Sequence, residues 1–291
     1  MGNALNGLLS LLGLERQDEW SFIGHSHDIG IGKVFGGQVM GQALSAASQT
    51  IADGRSVHSL HCYFLKSGDV NQPILYRVEP IRDGKSVSTR RVEASQSGQL
   101  MFYLTASFQL EEPGFDHQSI MPSVLGPDGL KSEVQWAQEL KSFMPPPLQE
   151  KLLAERPIEM RPVKFINPLK TGVEEPKRHI WCRANGELPA NPELHRYLLA
   201  YTSDFNFLPT ALQPHGIAFF DPSIQVATID HAMWFHRDFR FDEWLLYVVD
   251  SPSASGGRGL VRGEFYTQDG RLVASTIQEG VIRVRLSNEG G

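Results

Sequence analysis

The residues of this chain that could do chemistry are few. In "YTSDFNFLPTALQPHGI", residues 201–217, Asp204 stands among residues whose apolar members recur at helical spacing. A carboxylate there either caps or pairs within the fold or accepts a proton, because an acid on an apolar helix is rarely left free. "GHSHD", residues 24–28, approaches the Gly-x-Ser-x-Gly nucleophile turn, but Asp28 stands where glycine is required and no parallel βα pattern surrounds Ser26. His25 and His27 are spaced to share a strand face with Asp28 nearby, yet no further cluster completes a ligand set, so no metal is expected. Cys62 beside His61 fails as a nucleophile and base, since strand neighbours face opposite ways. Arg90, Arg91, Arg258 and Arg262 either hold ligand phosphates or pair with Glu93 and Glu264, and both readings stay open.

The 291 residues allow two domains or one duplicated domain, since a common domain holds roughly 150. A 41% hydrophobic and 21% charged composition is that of a folded globular chain. The net charge of -6 argues against a broad basic face, so no nucleic-acid partner is expected. Cys62 and Cys182 each lie in apolar stretches, which predicts buried thiols in a reducing, cytoplasmic setting. The start "MGNALNGLLSLLGLERQDEW" lacks a basic segment and a cleavage site, and its apolar run is too short to span a bilayer. Leu8, Leu9, Leu11 and Leu12 fit a short amphipathic helix, and Asn6 replaces the hydroxyl residue of a myristoylation signal.

These residues must be positioned by repeated elements. Residues 35–51 read as a helix opening on Gly36 and Gly37, followed by strands 57–65, 73–80, 86–94 and 99–109, with hairpin chemistry at Asp83-Gly84 and Ser97-Gly98. The second half repeats this order: helix 192–212, then strand runs 224–236, 244–250, 258–267 and 271–284. His61 matches His231 at a separation of 170, and Arg91 matches Arg262 at 171, which predicts an internal duplication. The predicted units are an N-terminal one at 1–112, a Pro- and Gly-rich linker with a helix near 130–143 at 113–155, and a C-terminal one at 156–291. Each is an α+β unit in which a curved antiparallel sheet wraps one long helix.

"VFGGQVMGQAL", "LLAYTSDFNFLP", "ALQPHGI", "ATIDHAMWFHR" and "VRGEFYTQDGRLVASTIQEGV" resemble acyl-CoA thioesterase II, a double-hotdog family, over essentially the whole chain. The resemblance implies two tandem hotdog units and hydrolysis of fatty acyl-CoA to free fatty acid and CoA. It implies an Asp, a Thr and a Gln that hold a water, which fall on Asp204, Thr228 and Gln278. Those residue types suit that chemistry, since a carboxylate takes the water's proton while a hydroxyl and an amide fix its direction. No cofactor is implied, and a homodimer or homotetramer is.

The duplication suggests how an oxyanion would be met. At a separation of 160, Leu44 aligns with Asp204 and Gly36 with Arg196, so one helix carries the glycines and the other the acid. Side by side, the N–H groups of Gly36 and Gly37 would polarise the carbonyl beside Asp204. By the same repeat His58 aligns with Thr228 and either contacts substrate or is a leftover polar residue. His61 and His231, matched across the halves, are expected to serve the fold. Two rival functions are a non-catalytic acyl-CoA binding or scaffold protein and a hotdog hydratase, whose His five residues after the Asp is Pro209 here.

Overall fold

A computed structural model describes residues 3–52, 54–169 and 172–285. Helix α1 (Asn3–Leu12) and the short β1 (Glu15–Arg16) and β2 (Ser21–Gly24) precede α2 (Gly36–Ser48) and strands β3 (Arg55–Phe64), β4 (Ile74–Asp83), β5 (Val87–Gln96) and β6 (Gln99–Leu110). The linker holds α3 (Glu133–Leu140), capped by Ser132, and α4 (Pro146–Leu153), which begins on prolines that the first helical turn tolerates. Then come β7 (Ile158–Pro162), β8 (Lys177–Ala184), α5 (Pro192–Ser203), α6 (Phe207–Leu212), β9 (Ile224–Thr228), β10 (Asp230–Phe235), β11 (Leu245–Ser255), β12 (Arg258–Thr267) and β13 (Leu272–Val284).

Among the described residues all strands join one antiparallel sheet in the order β1-β2-β4-β5-β6-β3-β10-β13-β12-β11-β8-β7, with β9 beside β13. The halves meet at β3 and β10, where Cys62 lies opposite His231 and His61 opposite Ala232. The sheet curls around α2 and the α5–α6 pair, the double-hotdog arrangement. Every residue of α2 from Gly37 to Ala47 is buried, so the sheet and the neighbouring helices cover it on all sides. Its glycines lie four positions apart toward α5: a side chain at Gly41 would stand 3.2 Å from Tyr197 O, and one at Gly37 only 2.2 Å from Tyr201 O.

Two bulges set which residues face the helices. In β3 the register slips between Val57 and Ser59, so Val57, Leu60 and Cys62 all point inward. In the second half β9 and β10 break at Ile229, a run the sequence presents as continuous. Thr228 pairs with Gly280, while Ala232 pairs with Ile277, so one extra residue is absorbed there. Thr228 and His231 therefore share the inner face although they are three apart. Bulge laid on bulge, Val57 corresponds to Thr228 and Leu60 to His231. The match of His61 to His231 is corrected by one residue, and His61 is exposed on the outer face whereas His231 is 1% exposed.

Candidate active site

The helix expected over 192–212 is interrupted at Asp204. Asn191 caps the start of α5 by accepting from Glu193 N, and Pro192 occupies the first turn. At the other end, Thr202 returns its hydroxyl to Leu198 O, Ser203 Oγ stands 2.8 Å from Ala200 O and 3.1 Å from His231 Nε2, and Asn206 turns left-handed at φ 67°. Pro209 has no N–H for the carbonyl of Phe205, so an uninterrupted helix would lose a bond there. The side chain of Asn206 accepts from Arg178 Nη1 at 3.1 Å and donates to Met160 Sδ, which fixes the break. Asp204 thus sits at a helix end, free to aim away from it.

It aims at the start of α2. Asp204 Oδ2 accepts from Gly37 N at 2.9 Å, where the helix's unpaired N–H groups favour negative charge. A side chain at Gly36 would lie 2.7 Å from that same oxygen, so glycine is what permits the approach. Gly37 N–H, anticipated as a donor to a substrate carbonyl, here donates to the carboxylate. On the other side Thr228 Oγ1 stands 3.5 Å from Asp204 Oδ1, and Gln278 Nε2 donates to Thr228 Oγ1 at 3.0 Å. Gln278 Oε1 in turn lies 2.7 Å from His231 Nδ1, so the histidine that the sequence reading left to the fold touches the site.

Burial dominates the electrostatics of the cluster. It pushes the Asp204 carboxyl up to about 7, against the opposing effects of Gly37 N–H, Gln278 and Thr228. Burial likewise pulls His231 down to about 4, so the ring is neutral, and raises the Cys62 thiol well above its ordinary range. Cys62 donates to His231 O and is a core thiol.

Asp204, Gly36, Thr228 and Gln278 line a cavity of about 1540 Å³ whose walls include Phe35, Phe64, Phe102, Met160, Leu208 and Val226. The "GHSHD" segment forms part of the rim. Gln38 donates to His25 O and Ser26 Oγ, Gln42 donates to His25 O, and Tyr76 donates to Gln42, so two buried amides of α2 hold the segment in place. His25 meets Glu15, and Asp28 Oδ1 accepts from the N–H groups of Gly30, Ile31 and Gly32.

His58 is not brought to the cluster. The β3 bulge turns it to the outer face, where its ring lies 2.8 Å from Ser107 Oγ. Of the four arginines weighed for phosphates, Arg90 pairs with Asp83, Arg91 with Glu93, Arg258 with Glu279 and Arg262 with Asp250, and none of the four lines the cavity. Among the described residues the cations that do are Lys33, Lys66, Lys151, Arg156, Lys164 and Arg178. Sequence spacing offered no signal for these, since Lys33, Lys66, Arg156 and Lys164 lie in loops and Lys151 in the linker. Arg178 is desolvated enough to bring its guanidinium down to about 10.

Residues 147–281 match the Acyl-CoA thioesterase family, and residues 25–109 match the Acyl-CoA thioesterase N-terminal domain. The chain is 45% identical over 284 residues to acyl-CoA thioesterase 2 of Haemophilus influenzae, covering 97% of this chain and 99% of that one. To acyl-coenzyme A thioesterase 8 of Homo sapiens it is 40% identical over 285 residues, 95% of this chain and 88% of the relative. A solved acyl-CoA thioesterase II from Mycobacterium marinum superposes with a TM-score of 0.77 at 38% identity, covering 95% of this chain and 98% of that one. Fold, site-bearing segments and relatives over nearly the full length agree: the chain belongs to the acyl-CoA thioesterase II family of double-hotdog thioester hydrolases.

Proposed function

We propose that this chain hydrolyses fatty acyl-CoA to free fatty acid and CoA through a water held by Asp204, Thr228 and Gln278. The observation that supports it is a carboxylate anchored by Gly37 N–H, flanked by the Thr228 hydroxyl and the Gln278 amide, on the wall of a largely apolar cavity. The water oxygen attacks the thioester carbonyl while Asp204 takes its proton; the C–S bond then breaks and the CoA sulfur is protonated on leaving. Gly36 N–H, at the same helix start, stabilises the oxygen that becomes anionic. Lys151 and Arg178 supply positive charge toward the CoA phosphates.

Thiol release from decanoyl-CoA and palmitoyl-CoA by wild type and Asp204→Asn tests the reading. The variant is expected to fall by about 10² to 10⁴, the usual worth of a positioned base. Equal rates would overturn the mechanism. Wild-type binding without turnover would favour the scaffold alternative, and hydration of an enoyl-CoA the hydratase, against which Pro209 stands where that chemistry needs histidine. The reading also has the chain as a cytoplasmic homodimer or homotetramer paired through its sheet backs, where the exposed Tyr63 stacks on the half-buried Tyr103; sedimentation velocity tests the assembly. Among the described residues no helix is long and apolar enough to cross a membrane.

A further inference from the structure

The hydrogen-bond chain continues past Gln278. Its Nε2 is directed at Thr228 Oγ1, so its Oε1 is the atom that meets His231 Nδ1 at 2.7 Å. An amide oxygen only accepts, so Nδ1 carries the ring proton. The other ring nitrogen is then an acceptor facing Ser203 Oγ, 3.1 Å away, whose single hydroxyl proton is shared between this nitrogen and Ala200 O at 2.8 Å. Ser203 directly precedes Asp204, and its carbonyl accepts from the Tyr247 hydroxyl at 2.9 Å. Flipping the Gln278 amide would set its N–H groups against the His231 N–H, both side chains being buried beyond the reach of bulk solvent. The tautomer of one buried ring and the direction of the amide are thus coupled, each requiring the other.

A second observation separates this role from support of the fold. With the bulges aligned, the first half carries Val57 at the place of Thr228 and Leu60 at that of His231. Across from Leu60 stands Ala106, the counterpart of Gln278, which lies across from His231. The same wrapped architecture is therefore built on the other side with apolar residues at all three places. A histidine needed for the fold would be needed in both halves; this one occurs only beside Asp204.

We propose that His231 is a positioning residue for thioester hydrolysis: its Nδ1–H locks the Gln278 amide with Nε2 toward Thr228 and the attacking water, and its Nε2 ties that amide through Ser203 to the backbone that carries Asp204. The inference rests on the base-site reading above. The titratable groups that face Asp204 are Cys62 from β3, Tyr201 from α5 and Tyr247 from β11, all kept neutral by burial, and among the described residues no ion pair includes Asp204. Loosening the amide therefore reaches Asp204 mainly as the loss of hydrogen bonds that favour its charged form.

The test is kcat, KM and the pH profile of decanoyl-CoA hydrolysis by the full chain. His231→Ala is expected to lower kcat by about 10- to 100-fold with little change in KM, and to move the acidic limb to higher pH. His231→Asn presents an amide N–H close to where Nδ1–H stood and is expected to recover most of kcat. His231→Gln presents one where Nε2 stood and is expected to fall with alanine. In a Gln278→Ala background, His231→Ala should remove nothing further. Asn and Gln variants of equal kcat, or full additivity with Gln278→Ala, would overturn the inference, and this pair of variants decides it even if alanine does not fold. A crippled Gln278→Ala beside an intact His231→Ala overturns this inference alone, whereas an intact Gln278→Ala overturns the base-site reading with it.

Discussion

The amide of Gly37 donates to the carboxylate of Asp204 across 2.9 Å, joining residues 167 positions apart in sequence. The two halves therefore meet at the candidate site: the second contributes the acid and the first the helix end that receives it. That contact depends on how closely α2 lies against α5. A methyl group at Gly37 would stand 2.2 Å from Tyr201 O, a separation that no packing tolerates. Gly37→Ala is expected to push the helices apart, destabilise by about 1 to 3 kcal/mol and lower turnover by roughly 10²-fold as the donor moves off. Gly7→Ala is the control. It lies in α1 with nothing within 4 Å of the added carbon, and there alanine should be neutral or stabilise by about 0.5 to 1 kcal/mol. Thermal melts beside thiol-release rates separate the two substitutions.

Only the ionised carboxylate can take a proton from water. With Asp204 raised to about 7, kcat/KM should climb through that pH with a single-proton slope and level off above it. An ordinary carboxylate would give a rate already flat at about pH 5 to 6, so a profile without an acidic limb near neutrality contradicts the assignment. His231 adds no limb in this range, because its ring is neutral above about 4.

Much of the architecture was legible in the residues. Alternation and turn pairs located the strands, and helical spacing located α2 and α5. Three features were not, and all three lie at the site. The bulges at Val57–Ser59 and Ile229 shift the alternation by one without any glycine or proline to mark them, so the repeat set His58 against Thr228 and His61 against His231, each one residue off. The helix break follows from Asn206 and Pro209, yet the flanking apolar residues keep helical spacing across it, and only the contacts of Asn206 decide the matter. The cations facing the cavity come from segments far apart in the chain, brought together by packing that local patterns do not encode.

Asn206 makes the break testable. Its left-handed backbone suits Asn better than most residues, and its side chain receives Arg178. Asn206→Ala should cost about 1 to 3 kcal/mol from strain and the lost bond, and lower kcat by re-aiming Asp204. Asn206→Gly removes the strain and not the lost bond, so it should recover stability more than it recovers kcat. Equal recovery of both would mean that the side chain of Asn206 has no part in aiming the carboxylate.

Asp204 also links activity to stability, with a definite sign. Its pKa is raised in the folded protein to about 7, while in the unfolded chain it lies near the ordinary 3.8. Between these values the unfolded chain gives up its proton first, so stability falls as pH rises from about 4 to 7 and stays lowered above. Because one side of the carboxylate opens on the cavity, the penalty is discounted to about 2 to 4 kcal/mol. Asp204→Asn abolishes the charge, and so its stability relative to wild type should increase with pH across that window and reach a plateau above about pH 7. Melting temperatures of both proteins from about pH 4 to 8 check this: a gap that is constant with pH, or one that closes as pH rises, would show that the buried acid is not charged at the expense of the fold. The inactive variant is therefore expected to be the more stable protein at the pH where the active one works best.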